Sequence, residues 1–218
     1  VLVAVAAVGA YRLAAGIDWR NERPSAAATP TTRPVPAPTV SSEPAMSGGY
    51  TIGPDGVLVR PAEFAADTYT KPELPEEAKE NTERGAEAAA EHYLALLVYA
   101  WNTGDTQPFA DMSSPTSKFA SDYIADITKQ YTNGWTYGLE SNITHVLRVE
   151  PIEANGIDVP EGSILVKFRI ESSDVVSCTM TKLDTASTSY ESTLTFSMTW
   201  TDNGWVETQG RVIGDNEG

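Results

Sequence analysis

The sequence predicts an α+β domain in which a long helix and a second helix pack on one face of a curved antiparallel sheet of four to five strands. Three observations indicate this fold class. Apolar residues recur every three or four positions between residues 86 and 101, and apolar and polar residues alternate through much of 164–213. The turn sequence TDNGW at 201–205 joins two aromatic segments. Helices followed by a run of strands are typical of α+β domains.

The long helix is predicted to begin at Pro75 and to run through Trp101. Pro75 suits a first helical turn, and the glutamates after it favour the positive end of the helix dipole. Gly104 is expected to end the helix, because glycine tolerates the left-handed conformation of a C-terminal cap. Such a helix would be about 42 Å long. Its apolar stripe consists of Ala86, Ala89, Ala90, Tyr93, Leu96, Leu97, Ala100 and Trp101.

The second helix is predicted from its N-cap, Ser114, with Pro115 at the first helical position, to Asn133-Gly134. After Gly134 the period of the apolar residues changes to two, which indicates strands. One face of the longest strand carries Tyr190, Ser192, Leu194, Phe196, Met198 and Trp200. The other face is polar, so one side of the sheet is expected to be covered and the other to be wet.

The composition divides the chain into five parts. Residues 1–19 form an apolar leader, for which three interpretations compete: a signal-peptide core, a membrane anchor or a buried helix. Residues 20–49 are rich in Pro, Ala, Thr and Ser and predict a disordered linker, which could not bury a helix. An anchor or export signal is therefore favoured. Residues 50–72 are an arm of unassigned structure, 73–214 the domain and 215–218 a tail.

Charge and cysteine content exclude several classes of function. The formal net charge of −15 repels phosphate backbones, so nucleic acid is not expected as a partner. Cys178 is the only cysteine, which rules out an internal disulfide and a Cys-rich metal site. The two histidines, His92 and His145, lack the spacing of paired ligands, and neither a metal nor a cofactor is expected.

Two stretches carry a family resemblance: ELPEEAKENTERGAEAAAEHYLALLVYAWNTGD and MSSPTSKFASDYIADITKQYTNGWTYG. Their order, followed by an antiparallel meander, resembles the nuclear transport factor 2-like cone fold. They resemble more narrowly an uncharacterised actinobacterial family of lipoprotein-like domains of unknown function, family 6318, over about Leu74 to Ile213. The residues that carry the resemblance are Gly85, Tyr93, Tyr99, Thr103-Gly104-Asp105, Ser113-Ser114 and Gly134.

The resemblance implies a location outside the cytoplasm. This chain departs from the family pattern at two places. Family members often have a cysteine pair at the start of the second helix, where this chain reads Pro115-Thr116-Ser117-Lys118-Phe119. They also often carry a lipid-acceptor cysteine after the leader, and this chain has none there. The resemblance therefore implies neither that disulfide nor lipid attachment in this chain.

A cone fold can hold a pocket between the long helix and the concave sheet, and aromatic side chains are the best candidates to line it. Aromatic residues more often simply form the core, and that alternative stays open. The candidate pocket residues are Tyr93, Leu97, Trp101, Phe119, Tyr123, Phe168, Phe196 and Trp200. No catalytic residue is assigned, because the sequence contains no nucleophile-elbow spacing and no converging acid and base.

The preferred functional hypothesis is a non-catalytic accessory or binding domain, tethered outside the cytoplasmic membrane through residues 1–19. Its partner would be a small apolar ligand or a protein of the cell envelope. One alternative is an isomerase or dehydratase that uses the cone pocket. The other is a protein-interaction module of an envelope complex. These hypotheses differ in whether the cone cavity is open and polar-lined or filled by side chains, which the sequence does not determine.

Overall fold

A computed structural model describes residues 50–156, 159–173, 175–186 and 189–214. The predicted leader (1–19), linker (20–49) and tail (215–218) lie outside these ranges. Within the described ranges, no helix combines the length and the apolar character needed to cross a membrane.

Three α-helices precede the sheets: α1 (Glu83–Thr103), α2 (Gln107–Asp111) and α3 (Lys118–Thr132). Short 3-10 turns at Ala62–Phe64, Ala66–Thr68 and Glu76–Lys79 lead into α1. Gly104 ends α1 in the left-handed conformation, with φ 82°, and its N–H donates to the carbonyl of Ala100 at 2.8 Å. The predicted C-terminal cap of the long helix is confirmed.

The start of α1 is later than the sequence analysis predicted, because residues 76–79 form a separate 3-10 turn. Thr82 is the N-cap, and its hydroxyl accepts a hydrogen bond from the Gly85 N–H at 3.0 Å. The carbonyl of Glu80 is held by the indole N–H of Trp205 at 2.9 Å. A Cβ on Gly85 would lie 2.0 Å from that carbonyl oxygen, so the close approach requires glycine. Arg84, in the first turn of α1, forms an ion pair with Glu87.

Helix α3 likewise begins three residues after the predicted position. Ser117, and not Ser114, is its N-cap, and the Ser117 hydroxyl accepts from the Ala120 N–H at 3.1 Å. Ser114 instead donates its backbone N–H to the carbonyl of Glu207 at 2.7 Å. Ser114, which the sequence predicted as the N-cap, is therefore engaged with Glu207 near the C-terminus of the domain.

The described residues form seven strands in two antiparallel sheets, so the strands are more numerous than the four to five predicted. The strands are β1 (Gly134–Tyr137), β2 (Glu140–Pro151), β3 (Ser163–Ser173), β4 (Val175–Thr179), β5 (Lys182–Ala186), β6 (Tyr190–Thr201) and β7 (Gly204–Gly214). One sheet has the order β2-β3-β6-β7 and the other has the order β1-β4-β5. The predicted hairpin at 201–205 is confirmed, with Trp200 opposite Trp205.

The helices cover one face of the four-stranded sheet, as the alternation in the sequence predicts. Val166, Phe168, Leu194, Phe196 and Met198 on β3 and β6 are at most 1% exposed. They form one core with the buried side of α1 and with Phe109, Phe119 and Ile127. The α+β fold class, with a long helix and further helices packed on an antiparallel sheet, is confirmed.

The arm at 50–72 packs on the smaller sheet and builds a second apolar cluster. Leu58 is 1% exposed and contacts Trp135, Tyr137 and Cys178. The indole N–H of Trp135 donates to the Leu58 carbonyl at 2.5 Å. Arg60 donates to the Asn102 carbonyl at 2.7 Å, close to the end of α1. The arm is therefore an integral part of the domain.

Candidate functional site

A small cavity lies between α1 and the core face of the four-stranded sheet, where the cone fold would place a pocket. Its volume is about 40 Å³. The lining residues come from α1, α3 and all four strands of that sheet or the segment before them: Leu94, Leu97, Val98, Trp101, Tyr123, Leu139, Ser141, Ile170, Ser172, Tyr190, Ser192, Leu194 and Val212. A space of this size holds a water molecule or two, and not a drug-sized ligand.

Three of the eight predicted pocket residues line this cavity: Leu97, Trp101 and Tyr123. They lie together because α1 and α3 present their buried sides to the same part of the sheet. Burial of the Tyr123 hydroxyl raises its pKa above the ordinary value. Tyr123 therefore stays neutral at physiological pH. A ligand role for these three residues remains a prediction.

The other five predicted residues lie elsewhere. Tyr93, Phe119, Phe168 and Phe196 are in the closed core, each at most 8% exposed. The Phe196 ring meets the Tyr93 ring edge-on at 5.0 Å and the Phe119 ring at 5.4 Å between centroids. Trp200 lies beside the β6–β7 turn, with its ring 5.2 Å from that of Trp205. The aromatic residues that were expected to line a pocket thus largely fill the cone.

The polar groups around the cavity are hydroxyls and one indole. The hydroxyls of Ser141 and Ser172 are 2.7 Å apart, and burial raises the pKa of Tyr190. The Nε1 atom of Trp101 is buried and has no hydrogen-bond partner among the described residues. Among the described residues, no carboxylate, imidazole or thiol lines the cavity. These groups can orient a bound molecule, but they offer no acid or base with a pKa near neutrality.

A buried carboxylate, Glu207 on β7, lies elsewhere in the core, and the sequence analysis missed it. Glu207 is 0% exposed. The Tyr93 hydroxyl donates to its Oε2 at 2.9 Å, and the Ser117 hydroxyl donates to its Oε1 at 3.1 Å. The Tyr93 and Ser113 hydroxyls are also hydrogen-bonded, at 2.7 Å. We call Tyr93, Ser113, Ser117 and Glu207 the Glu207 cluster.

Burial raises the pKa of Glu207 to about 7, although the hydrogen bonds from Ser117 and Tyr93 pull it in the other direction. Burial also raises the pKa of Tyr93 well above its ordinary value. A carboxyl group that titrates near neutrality has the proton affinity of a general base. Both oxygens of Glu207, however, already accept hydrogen bonds inside the core, and Glu207 does not line the cone cavity.

Backbone contacts place the Glu207 cluster where helices and sheet meet. The Glu207 N–H donates to the Met112 carbonyl at 2.9 Å, and the Glu207 carbonyl accepts from Ser114. A register shift in β7 at this point keeps Glu207 opposite Met198, on the core side of the sheet. One signal for this position was present in the sequence. Glu207 follows Trp205 by two residues, so both side chains share a face of the strand.

Neither histidine lines the cone cavity or belongs to the Glu207 cluster. His92 lies on α1, and burial lowers its pKa. His145 is exposed on β2. Among the described residues, no group of three or more His, Cys, Asp or Glu side chains is placed to hold a metal ion.

A larger groove, of about 310 Å³, lies between the arm and the start of β1. Its lining includes Asp55, Val57, Arg60, Tyr131 and Trp135. The Arg60 guanidinium donates to the Asn102 carbonyl and to the Tyr131 hydroxyl, the latter at 3.3 Å. It also lies 5.6 Å from the centre of the Tyr69 ring. These contacts hold the arm in place, which gives Arg60 a structural role.

Several solved structures are similar to this chain, and three of them illustrate the range. The intermembrane-space region of the chloroplast protein ARC6 is 14% identical, with a TM-score of 0.47 over 62% of this chain and 98% of that one. A nuclear transport factor 2-like protein of unknown function from Shewanella oneidensis is 16% identical, with a TM-score of 0.33 over 57% and 95%. A protein with a cystatin-like fold from Caulobacter vibrioides is 13% identical, with a TM-score of 0.35 over 61% and 92%.

Each of these structures is similar to this chain at 13–16% identity and with a TM-score below 0.5. No curated protein matches the chain. The model of a family of unknown function, DUF6318, matches residues 62–210, which is more than half of the sequence. The chain therefore belongs to the DUF6318 family.

Proposed function

We propose that this chain is a non-catalytic accessory domain that binds a protein partner outside the cytoplasmic membrane, at the cell envelope. The observation that carries the proposal is the packing of the cone by its own side chains, since the cavity between α1 and the four-stranded sheet measures about 40 Å³ among the described residues. Because this cavity has no room for a metabolite, the outer surface of the described domain is favoured for binding. This combines the tethered accessory domain with the protein-interaction module of the sequence analysis.

The alternative of an isomerase or dehydratase has less support. Such an enzyme needs an acid or base within hydrogen-bond reach of a bound substrate. The cavity is lined by apolar, hydroxyl and indole side chains, and burial raises the pKa of Tyr123 and of Tyr190. Glu207, the carboxyl group whose pKa is about 7, is fully enclosed. The position of Glu207 favours a structural role over a catalytic one.

The proposed location rests on the leader and linker of the sequence, and the single cysteine makes it testable. Cys178 is buried, its thiol donates to the Met180 carbonyl, and burial raises its pKa. The unchanged chain should therefore react slowly with maleimides while folded. Asn203, in the turn between β6 and β7, is exposed and suits an added cysteine.

We expect a membrane-impermeant maleimide to label Asn203→Cys in intact bacteria that express the whole chain. The reason is that the proposed topology places the domain outside the membrane, where the reagent has access. The unchanged chain is the control, and it should be labelled only after denaturation. Labelling of Asn203→Cys only after the cells are lysed would contradict the proposed location.

A further inference from the structure

The outer face of the four-stranded sheet, opposite the helices, carries a cluster of cations. The register of the strands puts Arg148, Lys167 and Arg211 in one row, with Thr195 between Lys167 and Arg211. Arg169 lies two residues from Lys167 on the same face of β3. We call Arg148, Lys167, Arg169 and Arg211 the basic band. It is unexpected in a chain whose net charge is −15.

The pairing across the strands brings like charges together. Arg148 lies directly opposite Lys167. Like charges at directly opposed positions of a sheet destabilise it. The opposed Arg148 and Lys167 therefore do not stabilise the sheet through their pairing, and a negatively charged partner would reduce the repulsion between them.

Acidic residues border the basic band but do not neutralise it. Arg148 forms an ion pair with Glu150, and Arg169 lies 3.8 Å from Glu191. Among the described residues, Lys167 and Arg211 have no carboxylate partner within 4.0 Å. The side chain of Arg148 is 57% exposed, and Arg211 is also exposed. On the described surface the positive charge of the band therefore comes chiefly from half-buried Lys167 and exposed Arg211, with the exposed Arg148 beside them.

The shape of this face points to a macromolecular partner. Neighbouring strands are about 4.8 Å apart, so the row from Arg148 to Arg211 crosses about 14 Å, and Arg169 lies about 7 Å along β3 from Lys167. Small-molecule sites are concave, whereas these cations stand on the outer side of a sheet. A surface of this extent can meet a few carboxylates on one segment of chain.

We propose that the basic band docks a short acidic segment of a partner protein. This docking proposal rests on the proposed function. It adds that the protein partner is negatively charged where it binds and that it binds the outer face of the four-stranded sheet. The acidic residues that border the basic band limit how long an acidic segment can lie along it without repulsion. Glu171 and Glu191 lie opposite each other on one side of the band, and Glu150 lies on the other. A continuous polyanion, such as an anionic membrane, would be repelled by these carboxylates and by the chain's overall negative charge.

The test is a titration of the whole isotope-labelled chain with a ten-residue glutamate peptide, followed by NMR at low and at physiological ionic strength. We expect shifts confined to the outer face around Arg148, Lys167, Arg169, Thr195 and Arg211, and weaker binding as salt screens the charges. The double change Lys167→Gln and Arg211→Gln should weaken binding about tenfold. The matched control, Lys118→Gln with Lys129→Gln on α3, should leave the affinity unchanged.

Four results would overturn the proposal: no localised shifts at low salt, equal losses in the two double variants, self-association of the chain through the same face, or vesicle binding that depends on Lys167 and Arg211. The vesicles would contain equal amounts of phosphatidylglycerol and phosphatidylcholine. A thermal melt of each double variant verifies that it is folded. A negative peptide titration does not affect the cysteine-labelling result, so the docking proposal and the proposed location can be contradicted separately.

Discussion

Phe196→Ala is expected to lower the free energy of unfolding by about 3–5 kcal/mol, the range for a fully buried phenylalanine. Phe196 is 0% exposed and packs against Tyr93 and Phe119, and its position on β6 faces Gly210. Removal of the ring leaves a void in a closed core. Since whole domains are stable by about 5–15 kcal/mol, the variant should be close to unfolding. Urea denaturation of the variant and the unchanged chain measures the difference.

Phe64→Ala is the matched control for this measurement. Phe64 lies on the arm, 36% exposed, and stacks on Tyr137 at 4.3 Å. Its loss should cost about 1 kcal/mol, as for a partly exposed aromatic pair. A cost at Phe196 no larger than the cost at Phe64 would mean that the cone is open at Phe196, which would restore the pocket alternative.

Glu207→Gln is expected to change how stability depends on pH. The pKa of Glu207 is about 7 in the folded protein, against an ordinary value of 4.5, so the folded state holds this proton more tightly than the unfolded chain does. The Glu207 contribution therefore favours folding below about pH 4.5 and is lost progressively as the pH rises to about 7. The shift corresponds to about 3 kcal/mol.

The variant lacks this titration, so the stability difference between Glu207→Gln and the unchanged chain should shift in favour of the variant by about 3 kcal/mol from pH 4.5 to pH 8. Urea denaturation across that pH range provides the measurement. Glu191→Gln is the control, because the Glu191 side chain is 57% exposed. Parallel pH profiles for the unchanged chain and Glu207→Gln would show that Glu207 is not buried as described.

Local sequence signals were sufficient for the elements that local contacts determine. The glycine cap at Gly104, the turn at 201–205 and the buried face of β6 all follow from backbone preference or from alternation. These signals do not depend on distant residues. They also established the α+β fold class, since the order of helices and strands restricts the layers that can form.

The features that the sequence did not predict depend on contacts between residues that are far apart in the chain. The beginning of α1 depends on Trp205, which holds the Glu80 carbonyl, and Ser114 is drawn away from capping α3 by Glu207. Cavity volume depends on how rings such as Phe196 pack, which spacing along the chain does not reveal. The residues Leu97, Trp101 and Tyr123 could be grouped from the sequence, but the size of the cavity that they line could not.

The central claim is that the cone is filled by its own side chains, so that binding takes place on the surface. Native mass spectrometry of the chain, purified from a bacterial host, tests this claim most directly. The account predicts no adduct whose binding depends on Leu97, because the cavity that Leu97 lines, of about 40 Å³, does not accommodate a metabolite. A stoichiometric small-molecule adduct that is released on denaturation and weakened by a larger residue at Leu97 would contradict it.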